Sequence, residues 1–374
     1  MIDFDFNEFC CGCSGCANIC PTSAIKMTEE KDGFLYPKID LEKCVNCGKC
    51  DTVCPRLNAQ NNKIAVEPKA YLFSSKDDRA KLKSASGGAF YELGKTFIDN
   101  GDYICGCVWN EDLDAVHIIS NLQEDLVKMQ GSKYLQSNVK NCCKEIIGLL
   151  KQDKKVLFSG TPCQCDAVHN YVGEKYRGNL YTVAVICHGV PSPGVWKGFK
   201  RWIEKKEKSS LIDVNFRDKS KMGYKRSYCK YTFSSGKVTY LPTFLPSSKY
   251  MEAAIVYNLS IRKSCNHCDC KDMTKSCDLI VGDWYAEYKG EGELGTSCIV
   301  VCTEKGKELL NEMENVREID YSSILDANIM IRDSIKMNPN RDKFLAEYND
   351  DIWDNVEKYY PPKYKYKKLL YKLG

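Results

Sequence analysis

Eight cysteines near the N-terminus fall into two copies of one spacing. Cys10, Cys13, Cys16 and Cys20 precede Pro21, and Cys44, Cys47, Cys50 and Cys54 precede Pro55. Both copies read C-x2-C-x2-C-x3-C-P. Three thiolates this close in sequence wrap onto one iron–sulfur cube, while the fourth cysteine of each copy reaches the other cube. The spacing therefore predicts one 4Fe–4S cluster on Cys10, Cys13, Cys16 and Cys54, and a second on Cys44, Cys47, Cys50 and Cys20. Zinc wants C-x2-C pairs closing one tetrahedron per ion, which a duplicated triplet followed by C-P does not supply. Cys11 lies inside the first run but off its spacing, and reads as a bystander.

A further group is sparser. Cys265 and Cys268 form a C-x2-C pair, a spacing that serves zinc, redox disulfides and clusters alike. Cys163 follows a buried strand at 156–158, and Cys187 follows another at 181–186. With Cys265 and Cys268 they would complete a third four-cysteine cage. Cys270 and Cys277 lie near enough that a local zinc knuckle is the alternative.

The run at 10–55 is that of a bacterial two-cluster ferredoxin, a unit tied together by crossed ligation, with short strands at 24–27 and 36–40. So small a block buries too little apolar surface to stand alone, so bound metal is expected to supply much of its folding energy. The polar stretch 56–69 reads as a linker. Beyond it, strands at 70–73, 103–109, 116–120, 156–158 and 181–186 alternate with helical patterns starting near 89, 126, 139 and 193, and 211–246 is strand-rich. Alternation of this kind predicts an α/β body with ligands at the strand carboxyl ends. The expected fold class is thus α+β/α/β: a ferredoxin-like domain over 1–58, a linker over 59–69, a mixed α/β domain over 70–335, and a helical, basic tail over 336–374.

From about 71 to 331 the chain resembles the beta-subunit family of coenzyme F-420-reducing hydrogenases and dehydrogenases. The resemblance rests on Ser86-Gly87-Gly88, Gly131-Ser132-Lys133-Tyr134, Gly160-Thr161-Pro162-Cys163-Gln164, Ile186-Cys187-His188-Gly189, the Cys265/Cys268 pair, Asp278-Leu279-Ile280-Val281-Gly282-Asp283 and Gly295-Thr296-Ser297, in the family's order. It implies FAD beside one 4Fe–4S cluster on Cys163, Cys187, Cys265 and Cys268, which makes three clusters in all. Flavin contacts would come from Gly87, Gly88, Gly131, Lys133, Tyr134, Asp278, Gly282, Asp283, Thr296 and Ser297. Gly87-Gly88 at a helix start lets backbone N–H groups approach a pyrophosphate. Lys133 would stabilise negative charge on reduced flavin, and His188 would donate a hydrogen bond to sulfur or a proton to the flavin. Gly290, Gly292 and Gly295 suggest a substrate lid, and no deazaflavin pocket is identifiable.

Length leaves room for two or three domains. With 54 Lys and Arg against 50 Asp and Glu, the net charge of +4 gives no reason to expect nucleic acid. The basic, tyrosine-bearing stretch 363–372 reads as a solvated terminus. No export signal and no apolar run of ~20 residues is present, so 23 cysteines point to a reducing cytoplasm and an anaerobic setting. The remaining cysteines, Cys105, Cys107, Cys142, Cys143, Cys165, Cys229, Cys298 and Cys302, read as small buried apolar side chains. The function expected is an iron–sulfur flavoprotein oxidoreductase. It passes electrons between ferredoxin, or another low-potential partner, and an organic two-electron acceptor through FAD. An electron-transfer subunit of a larger complex, and a zinc-containing binding protein with a fused ferredoxin domain, are the alternatives.

Overall fold

The computed structural model describes residues 2–59, 68–243, 247–271, 277–285 and 294–361. Most of the linker, Gly290, Gly292 and the basic stretch 363–372 lie outside them.

The cysteine-rich block is built on one antiparallel pair, β1 (Ile25–Glu29) and β2 (Leu35–Ile39), with Ile25 opposite Ile39. Two short helices, Gly15–Ile19 and Lys49–Val53, carry the middle of each cysteine run and pack on each other. Their N-terminal residues, Ser14 and Gly48, are left-handed, which turns each run sharply enough to aim successive thiols inward.

The body contains an eight-stranded sheet. Its strands are β3 (Lys69–Phe73), β4 (Tyr103–Trp109), β5 (Ala115–Ser120), β6 (Val156–Gly160), β7 (Leu180–Val185), β11 (Leu279–Asp283), β12 (Ser297–Val301) and β13 (Val316–Ile319), in the order β13-β3-β12-β11-β7-β6-β4-β5. The centre, β11-β7-β6-β4, is parallel, and the flanking pairs are antiparallel. Val156, Leu157 and Phe158 are all fully buried, as an apolar run in a strand covered on both faces must be. Val156 and Phe158 join one core with Cys142, Cys143, Ile146, Cys165 and Val168, while Leu157 joins the other with Leu93, Phe97, Leu126 and Leu309. The cysteines expected to be small buried side chains are so placed, with only Cys107 partly exposed.

Beside this sheet lies a second, antiparallel one of β8 (Leu211–Asp218), β9 (Tyr228–Phe233) and β10 (Val238–Pro242). Helix Pro193–Glu207 packs Trp196, Phe199 and Ile203 over it, on the face its spacing predicts. Phe344, Trp353, Val356 and Tyr359 fill the same core. Residues 336–361 are thus part of the body and not a separate tail, because their aromatic side chains close a core that β8 and β9 leave open.

Candidate functional site

The parallel strands β6, β7 and β11 end at one edge of the sheet, and each delivers a residue expected to do chemistry. Thr161 caps helix Pro162–Val172 through a capping box with Gln164, which fixes Cys163 in its first turn. Cys187 leaves β7, and the single helical turn Lys263–His267 brings in Cys265 and Cys268. Burial and the charges of Cys265, Cys163 and Cys268 push the Cys187 thiol well above its usual range; burial and its neighbours Cys268 and Cys163 push Cys265 up to about 12. The structure therefore brings the four predicted thiols together. All four are partly exposed, and thiols raised in this way are neutral near pH 7, so any metal bound there would displace their protons.

The Cys270 thiol is raised chiefly by its neighbour Cys268 and then by burial, while burial and then its neighbour Cys277 raise the Cys165 thiol. Cys270 and Cys277 line a cavity with Cys187, Lys271 and Ile331. Lys271 Nζ donates to the carbonyls of Cys187 and Met330 at 2.6 and 2.8 Å, closing that side of the cage. Among the described residues no three His, Cys, Asp or Glu side chains are grouped as ligands of a single ion.

In the N-terminal block, Cys20, Cys44, Cys47 and Cys50 line one hollow with Ile25 and Ile39 between them, the crossed set the spacing predicts. Cys16 is raised to about 12 by burial and then by the charges of Cys10 and Cys54. Cys13 is raised by burial and then by the charges of Cys16 and Cys54, and so joins that group. Cys11, expected to be a bystander, lies beside Cys13 and Cys163, whose thiols shift its own.

The expected flavin residues divide. Ser86 Oγ donates to Thr296 O at 2.5 Å, and Gly87 N donates to Ser297 Oγ at 3.0 Å. A Cβ at Gly87 would collide with Phe73 O and lie 2.6 Å from Ser297 N, so glycine is demanded by packing of the loop on β3 and β12. Gly88, left-handed at φ 92°, heads the helix Ala89–Asp99. Gly131, at φ 77°, turns the chain after helix Gln123–Met129. Nearby, Arg217 Nη1 meets Asp283 Oδ2 at 2.9 Å and Tyr134 Oη at 3.2 Å, and its guanidinium stacks 5.0 Å from the Tyr224 ring. Lys219 Nζ donates to Ser86 O at 2.9 Å and Leu294 O at 2.5 Å. Gly87, Gly88, Tyr134, Asp283, Thr296 and Ser297 thus lie around two buried basic side chains, Arg217 and Lys219.

Three expected contacts have other uses. Asp278 lies at the opposite end of β11 from Asp283, where it accepts from Thr182 N at 2.8 Å and Thr303 Oγ1 at 2.6 Å and ties β7 to the helix Glu304–Asn311. Gly282 admits Ile186, whose Cδ1 would lie 2.5 Å from an added Cβ. Lys133 Nζ donates to the carbonyls of Lys128, Met129 and Gln130 at 2.9, 3.2 and 2.8 Å, capping the helix Gln123–Met129. Its ammonium is committed there and not to a cofactor. His188 likewise sets Nε2 2.9 Å from Asn258 Oδ1, a hydrogen bond that fixes the ring.

Burial, and then the Arg217 charge, pull the Lys219 amine from an ordinary 10.5 down to about 7. A neutral amine still has two N–H groups, matching its two carbonyls. Below that pKa both folded and unfolded chains carry the charge, so the folded state bears its full burial cost. As pH rises from there toward 10.5 only the unfolded chain holds the extra proton, and folding becomes more favourable. Relative to Lys219→Met, the native sequence should therefore gain stability between about pH 7 and 9, by up to ~1.4 kcal/mol per pH unit before solvent screening. Denaturant midpoints of the two across that range check this; parallel profiles would contradict it.

Residues 153–327 match the family described as the carboxyl-terminal part of the coenzyme F420 hydrogenase/dehydrogenase beta subunit, and residues 9–58 match the 4Fe–4S dicluster domain. The chain is 23% identical over 328 residues to the F subunit of the F420H2 dehydrogenase of Methanosarcina mazei, covering 84% of each protein. It is 23% identical over 299 residues to the beta subunit of the F420-dependent formate dehydrogenase of Methanocaldococcus jannaschii, covering 78% of this chain and 72% of that one. A chain of the F420-reducing [NiFe] hydrogenase complex of Methanosarcina barkeri aligns over 79% of this chain and 92% of its own length, at 15% identity and a TM-score of 0.43.

Proposed function

From a chain that joins a 4Fe–4S dicluster domain to the carboxyl-terminal domain of the coenzyme F420 hydrogenase/dehydrogenase beta-subunit family, we propose an iron–sulfur flavoprotein that passes electrons between a low-potential partner and an organic two-electron acceptor. The observation that carries this reading is the meeting of Cys163, Cys187, Cys265 and Cys268 at the same sheet edge as Arg217 and Lys219. When bound, the clusters supply one-electron steps and FAD the two-electron step.

The chain's own residues supply placement. Cys10, Cys13, Cys16 and Cys54, then Cys44, Cys47, Cys50 and Cys20, hold the dicluster pair, and the second set opens to solvent through Cys47. That exposure supports entry of electrons from a ferredoxin-like partner on this side. Cys163, Cys187, Cys265 and Cys268 hold the third cluster, and Ile186 and Ile331 line the cavity beside Cys187. Arg217 offers positive charge to an anionic cofactor, and the N-terminus of helix Ala89–Asp99 adds its dipole. Tyr134, Asp283, Thr296 and Ser297 border the same space. Asp283 keeps Arg217 oriented.

The test is anaerobic. Chemically reduced viologen is offered as donor, with coenzyme F420 and simple quinones as separate acceptors. Reduction of one acceptor by the purified chain supports a complete oxidoreductase. Fast oxidation of viologen only when a partner protein is added would assign the substrate site elsewhere. No oxidation of viologen under any condition would overturn the reading.

A further inference from the structure

One charged side chain is buried at the junction of the dicluster block and the body. Arg262 is fully buried. Its Nε donates to Cys10 O at 2.6 Å, and its two terminal nitrogens donate to Gln136 Oε1 at 2.8 Å and Leu35 O at 2.9 Å. The guanidinium stacks over the rings of Tyr36 and Phe34, 4.2 and 4.9 Å from their centroids. The backbone of the same residue reaches the other cage: Cys265 N donates to Arg262 O at 3.1 Å, and Arg262 N donates to Val190 O at 3.0 Å.

Gln136 repeats the arrangement. Its side-chain amide donates to Cys11 O at 2.8 Å, and its backbone N donates to Pro191 O at 2.9 Å. Between these two clamps sits Gly12 at φ +67°, where a Cβ would lie 2.6 Å from both Arg262 Nη1 and Gln136 Nε2. The 10–12 loop is therefore seated in a slot that only glycine fits. That seating is what brings the Cys11 thiol against Cys163.

We propose that Arg262 is the positioning residue for electron passage between the dicluster block and the body, holding the Cys10/Cys13/Cys16/Cys54 cage beside the Cys163/Cys187/Cys265/Cys268 cage with the Cys11–Cys163 contact between them. One electron leaves the first cage and one arrives at the second; no bond forms or breaks. Two routes of short steps cross the junction. One runs from Cys10 through its carbonyl and the Arg262 side chain and backbone to Cys265. The other runs from Cys13 through Cys11 to Cys163. Two metal-loaded thiolate cages repel as anions, and a buried cation beside both lowers that cost and favours their reduced forms. A solvated lysine loop would give neither the fixed distance nor the fixed charge. The inference rests on both cages holding clusters, as proposed above.

The full-length chain is prepared anaerobically as native sequence, Arg262→Gln and Gln136→Ala. Each is measured for iron, for magnetic interaction between clusters in the reduced state by EPR, and for cluster potentials by redox titration. The native sequence should hold about twelve irons, at four per cluster, and show broadened, interacting signals. Arg262→Gln with full iron should lose that broadening and pass electrons to the body at least tenfold more slowly. Its cage potentials should fall by a tenfold change in the one-electron equilibrium, about 59 mV. Gln136→Ala keeps the cation, so it should slow transfer without that fall, and it carries the test if Arg262→Gln does not load. Full iron with unchanged coupling, rate and potentials in these variants would overturn the inference alone. A native protein holding only about eight irons would overturn it together with the reading beneath it.

Discussion

Replacing Cys265 with serine should remove about four of twelve irons per chain and leave the other eight in place. Cys265 shares its surroundings with Cys163, Cys187 and Cys268, whereas the eight dicluster cysteines are supplied by a separate block. A cube held by three thiolates and one hydroxyl is exposed to loss, and the buried thiols left behind revert to protonated form. The Cys187→Ser variant should give the same count, since Cys187 feels the charges of all three partners. Cys277→Ser should keep twelve, because its thiol meets Cys165 and not the cage. Iron assay with EPR of the reduced protein separates these outcomes. Equal loss on replacing Cys270 and Cys277 but none on replacing Cys187 would move the third site to a local knuckle.

The second large effect concerns Arg217. Its side chain is 2% exposed and that of its partner Asp283 17%. Arg217→Met should cost about 3–5 kcal/mol, because it leaves a carboxylate in a poorly solvated place whose remaining hydrogen bond, among the described residues, comes from Tyr285. The same change removes the stacking contact with Tyr224 and the hydrogen bond to Tyr134. A paired change, Arg217→Met with Asp283→Leu, should recover much of the stability, since the orphaned charge is then gone. Neither variant should retain flavin, since the cation is missing in both. Denaturant midpoints and flavin content on the same preparations check this. A variant as stable as the native sequence and still yellow would show that the pair neither supports the fold nor faces the cofactor.

The dicluster domain could be read from the chain because its cysteines obey a local spacing, whereas Cys163, Cys187, Cys265 and Cys268 are dispersed and are grouped through strand ends that buried apolar runs announce. Cys11 could not be placed so, since its partner Cys163 is far along the sequence and only the seating of the 10–12 loop joins them. Arg217 and Lys219 close strand β8, which tertiary packing alone brings to the end of β11. Their one signal was a pair of cations ending a strand otherwise patterned for burial. Asp278 and Asp283 looked equivalent in one motif, yet five residues of strand rise, about 3.3 Å each, separate them by roughly 16 Å. Lys133 fell in a motif that the resemblance assigned to flavin, whereas a lysine just after a helix has carbonyls within reach. The 336–361 segment hid its role behind charged neighbours, and only burial of Phe344 and Trp353 reveals it.

The most direct test is the cofactor content of the chain purified without oxygen. The expected result is a brown protein with about twelve irons per chain at four per cluster, which releases one FAD on denaturation. A colourless protein, or one whose iron is confined to residues 9–58 with no nucleotide released, would contradict it.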